Sequence, residues 1–166
     1  MKRLLTERLF LRPANLEDGP FIYDLLNSES WLKYIGDKKI SNLNRAEEYI
    51  ENSLIKGYRI NGFGLLVVVL SNGTQIGLCG FLKRDYLEYL DLGFAFLPSY
   101  EGFGYAYEAA SAMMQYGKTE LRLTYVLAIC MEANERSFHL LDKLGFKKVD
   151  TVKLNEESEE LLLLST

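Results

Sequence analysis

Histidine occurs once in this chain, at position 139, and cysteine only twice, at positions 79 and 130. A zinc site built on several imidazoles is thereby excluded, as is a Cys-Cys-His-His finger. Two cysteines make no disulfide framework, and both lie in apolar, strand-like runs where a thiol packs as a small hydrophobe; no metal is expected. No stretch reaches the roughly 18 apolar residues needed to cross a bilayer. The apolar part of Met1–Arg8 is too short and too soon interrupted for a signal peptide, so a cytoplasmic protein with no membrane partner is expected. Basic residues are the minority, 19 Lys and Arg against 23 Asp and Glu, a formal charge of −4. Binding to nucleic acid, which requires a basic stripe to displace counterions, is not expected; the sign mildly favours a cationic partner. The P-loop string Gly-x-x-x-x-Gly-Lys-Ser/Thr does not occur, and no linker, repeat or low-complexity stretch divides the sequence.

The chain does have enough apolar residues, 48% of 166, to bury one good-sized core, so a single domain over residues 1–166 is expected. "TERLFLRPA" alternates and closes on Pro13, as a first strand does. Asn15 is placed to cap a helix carrying Phe21, Ile22, Leu25 and Leu26. Residues 31–40 are irregular and aromatic. Helical spacing returns through Ala46, Ile50 and Leu54. "GFGLLVVVL" and "QIGLCGFLKR" flank Ser71-Asn72-Gly73, the pattern of an antiparallel hairpin, and "YLDLGFAFLP" reads as a third strand beside it. Ala106, Ala109, Ala110, Met113 and Gly117 share one helical face. "LRLTYVLAIC" has the continuous apolar pattern of a strand covered on both faces, implying a right-handed parallel crossover. Asn134 is placed to cap a last helix closed by Gly145. The tail reads as two short strands around the acidic turn Glu156-Glu157-Ser158-Glu159-Glu160, and the apolar end "ELLLLST" as an edge strand able to pair with a second copy in a homodimer. The fold class is therefore α/β (α+β): a mixed, mostly antiparallel central sheet with one parallel crossover, flanked by helices.

Gly102 and Gly104 stand between a strand and a helix, in "LPSYEGFGYAYEAASAMM". Two glycines there permit a tight turn; they also free backbone N–H groups at the positive end of a helix, where a phosphate can be held. A dinucleotide fingerprint does not fit, since Tyr107 stands where its third glycine or alanine would be and no acidic residue follows about 20 positions on.

From Asp91 to Phe146 the sequence resembles the GNAT superfamily of N-acetyltransferases, and more loosely the whole chain resembles the branch containing the ribosomal-protein-alanine acetyltransferases. The resemblance runs in order through "LDLGFAFLPSY", "EGFGYAYEAA", "YVLAIC" and "NERSFHLLDKLGF". The family signature at the turn, Gln/Arg-x-x-Gly-x-Gly/Ala, fits residues 101–106 except at Glu101, so only the backbone cradle is carried over. This ordered context favours the cradle over the simple turn.

The resemblance implies a GNAT-like acyl-CoA N-acyltransferase fold and transfer of acetyl from acetyl-CoA, a co-substrate, to a primary amine by direct attack in a ternary complex. The acceptor would be a protein N-terminal α-amine or a small amine. Phe94, Ala95 and Phe96 would lie along the pantetheine arm; the backbone of Gly102, Phe103, Gly104, Tyr105, Ala106 and Tyr107 would hold the pyrophosphate; Asn134 would reach the pantetheine as well as cap its helix. A backbone N–H near Phe96 would stabilise the developing oxyanion. Asp91, with Glu88 behind it, is the carboxylate placed to take the ammonium proton, unless it is a solvated charge at a strand end. An α-amine of pKa near 7.7 costs about 1 kcal/mol to present neutral at pH 7, a lysine amine roughly 4.6, so an α-amine suits a site without a strong base. Many family members place a tyrosine acid where Leu141 stands, which leaves Ser137, a water or no acid to protonate the leaving thiolate. These departures keep open a non-catalytic acyl-CoA-binding module, or a protein-interaction domain on the same fold. His139 reads as a structural residue, and Trp31 and Tyr34 as core or as a substrate wall.

Overall fold

The computed structural model describes residues 3–154 and 158–166. The chain opens with two short strands, β1 (Leu4–Leu5) and β2 (Leu9–Arg12). Asn15 then caps a 3-10 turn, Leu16–Asp18, through a reciprocal capping box with Asp18, and α1 (Gly19–Leu26) follows with Pro20 in its first turn. Such a cap contributes about 1 kcal/mol. Asp18 is also held by both Nη groups of Arg12, at 2.8 and 2.6 Å, which ties the turn to β2.

The irregular, aromatic region holds a helix that periodicity did not reveal, α2 (Glu29–Tyr34), capped by Ser28. Next, α3 (Leu43–Tyr49) passes through a π-helical segment, Ile50–Ile55, into α4 (Lys56–Asn61). The wider turn shifts the apolar repeat in mid-helix, which is why the sequence reads as one shorter helix. Then come β3 (Leu65–Leu70), β4 (Gln75–Leu82), β5 (Asp91–Phe96), α5 (Tyr105–Thr119), β6 (Leu127–Cys130), α6 (Glu135–Lys143), β7 (Lys147–Lys153) and β8 (Glu160–Ser165).

The strands form one sheet in the order β1-β2-β3-β4-β5-β6-β8-β7, antiparallel everywhere except β5 with β6. Both faces are covered. Along β3, Leu66 and Val68 enter the core beneath α5 and α6, while Leu65, Val67 and Val69 enter the core beneath α1–α4, so a strand with no polar alternation is what the architecture demands. The small face of α5 lets it lie close to the sheet: a Cβ at Gly117 would come within 2.6 Å of the Phe81 ring.

The end of the chain corrects one expectation. β8 is apolar because it is interior, paired with β6 on one side and β7 on the other; the edge is the largely polar β7, so "ELLLLST" offers no free strand to a second copy. Of the acidic run, Glu156 and Glu157 lie outside the described residues, and Glu159 and Glu160 are exposed. Among the described residues no helix is long and apolar enough to cross a membrane.

Candidate active site

Strands β5 and β6 share a single register pair, Asp91 with Leu127, closed by the Leu127 N–H donating to the Leu90 carbonyl at 2.9 Å. Beyond it they part. The Leu97 N–H donates to the Ile76 carbonyl on the β4 side, and backbone groups alternate along a strand, so Ala95 also turns its N–H and C=O toward β4 while Phe94 and Phe96 turn theirs into the gap. The gap opens into a cleft of about 780 Å³ bounded by α5 and α6 on one face of the sheet and by α2 and α3 on the other.

At the cleft mouth Gly102 and Gly104 have φ of 83° and 82°, the left-handed region that disfavours any side chain. The turn they make leaves the N–H groups of residues 102–107 without acceptors among the described residues; the first helical bond is from the Glu108 N–H to the Gly104 carbonyl, 3.0 Å. These donors sit at the positive end of α5, where an anion is favoured. A brace from the start of the chain fixes them. Arg8 donates through Nη1 to the Phe103 carbonyl (3.0 Å) and through Nε to Glu108 (2.7 Å), and stacks 4.6 Å from the Tyr105 ring centroid. Thr6 donates to the same carboxylate at 2.6 Å.

The opposite wall of the mouth is α6. Asn134 Oδ1 accepts the Ser137 N–H at 3.2 Å, while no described residue accepts from its Nδ2. Arg136 reaches across to Glu101 at 2.7 Å, and Lys143 Nζ lies 4.2 Å from the Tyr107 ring centroid.

At the inner end Asp91 is 1% exposed, and both its oxygens accept from Arg84 Nε at 2.9 Å; Arg84 Nη1 donates to the Tyr86 hydroxyl at 3.0 Å. Burial raises the Asp91 pKa above its ordinary value, and the charge and hydrogen bond of Arg84 pull it back without cancelling the rise. Nearby, burial pushes the Tyr49 hydroxyl up to about 12, against the opposing charge of Arg84. No described residue hydrogen-bonds this hydroxyl, and Tyr49 lines the cleft. A mouth built of free N–H donors, a gap edged by free strand groups and a carboxylate at its inner end suit an anionic, amide-bearing ligand that carries a reactive group inward.

The sequence matches the acetyltransferase (GNAT) domain over residues 8–147. The chain belongs to the GNAT family. It is an acetyl-CoA-dependent N-acetyltransferase. The uncharacterised N-acetyltransferase p20 of Bacillus licheniformis is 28% identical over 166 residues, 98% of this chain and 92% of that protein. The spermidine N(1)-acetyltransferase of Escherichia coli is 28% identical over 138 residues, covering 82% of this chain and 71% of that one. In structure, the ribosomal-protein-S5-alanine acetyltransferase of Vibrio fischeri superposes with a TM-score of 0.83 over 100% of this chain and 96% of its own, at 18% identity, a likeness of fold.

Within this GNAT cleft the expected residues divide. Asp91, Phe94, Ala95, Phe96, Gly102, Gly104, Tyr105, Ala106, Tyr107, Asn134 and Ser137 all line it. The Phe103 side chain does not: it is 61% exposed and stacks on Tyr105 at 5.9 Å, so only its backbone faces the turn. Ala95 contributes its side-chain face rather than its backbone. Glu88 does not stand behind Asp91; it is exposed in a separate depression with Lys83 and Tyr125, and Arg84 holds the place instead. Trp31 is both core, at 4% exposure, and cleft wall. Leu141 is 1% exposed and gives the cleft a hydrocarbon surface. Cys130 also reaches the lining, its thiol pushed up to about 11 by burial. Among the described residues no group of three or more His, Cys, Asp or Glu is arranged to hold a metal. Sequence reasoning missed Arg84, Tyr49 and Lys38. A signal existed for Arg84, because β4 pairs Leu82 with Asp91, leaving residue 84 two positions beyond the partner of the carboxylate.

Proposed function

We propose that this cleft acetylates a primary amine, a protein N-terminal α-amine or a small amine, by direct attack within a ternary complex. The observation that carries the reading is the parting of β5 from β6 at Asp91–Leu127, which opens the free donors at the head of α5 and the buried Asp91 onto one cleft. Bound acetyl-CoA would supply the acetyl thioester. The N–H groups of residues 102–107 hold its pyrophosphate, Asn134 Nδ2 and the strand groups of Phe94 and Phe96 hold its amide-bearing arm, and the N–H of Phe94 or Phe96 steadies the negative charge that develops on the acetyl oxygen.

Asp91 takes the proton that the amine must lose, and its raised pKa makes it a better acceptor than an exposed aspartate. Arg84 holds that carboxylate in place through its Nε. For the departing sulfur, Ser137 on α6 is one candidate donor, since it lines the cleft. Tyr49 is a second candidate: it lines the cleft, its hydroxyl has no partner among the described residues, and burial keeps it protonated throughout the working range.

A thermal-shift titration with CoA, run beside a thiol-release assay over a panel of primary amines, tests this reading. Stabilisation by CoA together with turnover of at least one amine is expected. A CoA shift without turnover above hydrolysis on a broad panel refutes the catalytic reading, and no shift refutes the cradle.

A further inference from the structure

The whole chain is acidic, yet its cleft is not. Lys38, Arg84, Arg136 and Lys143 line it against only two carboxylates, Asp91 and Glu101, and each carboxylate is already joined to an arginine, Asp91 to Arg84 and Glu101 to Arg136. Two positive charges are left over in a protein of formal charge −4. Their positions separate them. Lys143 stands over Tyr107 in the half bounded by α5 and α6, where the phosphates of CoA account for it. Lys38 stands in the other half, on the loop after α2, and CoA does not account for it.

Local pairing leaves Lys38 free. The one carboxylate on its loop, Asp37, is taken by the neighbouring Lys39, whose N–H and Nζ donate to it at 2.7 and 2.8 Å. Arg84 has a spare donor as well: Nε serves Asp91 and Nη1 serves Tyr86, while Nη2 has no partner among the described residues. The acceptor half thus combines an unpaired ammonium, an unused guanidinium donor and the aromatic walls Trp31, Tyr34 and Tyr49, with its only carboxylate neutralised. A polyamine entering here would meet two cationic groups and no unpaired carboxylate among the lining residues, an arrangement that disfavours it.

Resting on the acetyl-transfer reading above, we propose that the acceptor is an amino carboxylate: an amine that carries its own carboxylate, received by Lys38 and Arg84 Nη2 while the amine faces Asp91. Charge-assisted pairing of that kind sets both affinity and orientation. The carboxylate can come from a free amino acid or from the side chain of an acidic residue beside a peptide N-terminus.

Matched acceptors test it in the thiol-release assay: phenylalanine against phenethylamine, Ser-Glu-Ala-amide against Ser-Lys-Ala-amide, and spermidine alone. The carboxylate-bearing member of at least one pair is expected to lead by about tenfold or more in kcat/KM, with the lead shrinking as salt rises. The pair in which it appears identifies the source of the carboxylate. Lys38→Glu is expected to reverse the preference, chiefly through KM, and the CoA-induced shift in Tm checks that this exposed substitution leaves the fold intact. No lead in either pair, or better use of spermidine than of both carboxylate-bearing acceptors, overturns the proposal, as does an unchanged ratio in Lys38→Glu. Binding gives a second readout independent of turnover: CoA-loaded protein should bind N-acetylphenylalanine or acetyl-Ser-Glu-Ala-amide at least tenfold more tightly than its counterpart, N-acetylphenethylamine or acetyl-Ser-Lys-Ala-amide, and equal affinities in both pairs overturn the proposal even if acetyl transfer itself fails.

Discussion

Removing Arg84 should cost far more than removing its partner. Asp91 is 1% exposed and the Arg84 side chain 31%, so Arg84→Gln strands a carboxylate in the interior, whereas Asp91→Asn strands a guanidinium that water already reaches. Loss of one partner of a buried pair costs about 3–5 kcal/mol, and the partial hydration of Arg84 puts Arg84→Gln near the low end, about 3 kcal/mol. Asp91→Asn should cost about 1 kcal/mol, the value of a net hydrogen bond. The double variant should fall short of the sum by about 2 kcal/mol, because the asparagine no longer needs the arginine. The deficit also has a pH signature. Asp91 titrates in the folded protein above its ordinary value of 3.8, so its contribution is fully present at low pH and is lost as pH rises through the raised folded value. Without Arg84 that value rises further, so the penalty of Arg84→Gln should be larger at pH 8 than at pH 5. Urea unfolding of the four proteins at both pH values measures this. Equal penalties at the two pH values, or strict additivity at pH 8, would refute the account of Asp91 as a desolvated carboxylate held charged by Arg84.

Glu101→Gln removes a negative charge from the mouth and releases Arg136, so CoA should bind several-fold more tightly by calorimetry, with the gain reduced at high salt. Gly104→Val forces a β-branched residue into φ near 82°, at a strain of about 1–2 kcal/mol, and should weaken CoA at least tenfold by displacing the N–H donors; an unchanged Kd counts against the cradle. Tyr49→Phe deletes one hydroxyl without changing the packed ring, so kcat should fall tenfold or more while the KM for acetyl-CoA stays put. A drop in CoA affinity instead would make Tyr49 a binding residue.

What was legible in the sequence was local. Asn15 announced a cap, Ser71-Asn72-Gly73 announced the hairpin, and Gly102 and Gly104 announced the turn, whose left-handed backbone is what glycine permits. The π segment at Ile50–Ile55 was hidden because it breaks the 3.6-residue repeat by which helices are recognised. The interior place of β8 could not be read from "ELLLLST", since an apolar strand looks the same whether it has one neighbour or two. The cleft followed the same division. The turn at its mouth comes from consecutive residues and could be read; at its inner end the β4–β5 pairing relates Arg84 to Asp91, but no spacing links Tyr49 to either. Net charge has a related limit: −4 is a property of the whole sequence, while a ligand in the cleft meets only the groups that line it.

The single bridge between β5 and β6 gives the protein an unfinished sheet. Five strands lie on one side of the gap and three on the other, with Asp91–Leu127 as the backbone seam. A ligand whose amides bond to the edges of the gap acts as a surrogate strand, and part of its binding energy becomes cohesion between the two parts of the chain. Occupancy and resistance to unfolding are then two readings of one equilibrium. Without such a ligand the protein would lose part of its resistance to unfolding and, with it, part of the protection from proteolysis that the folded state confers.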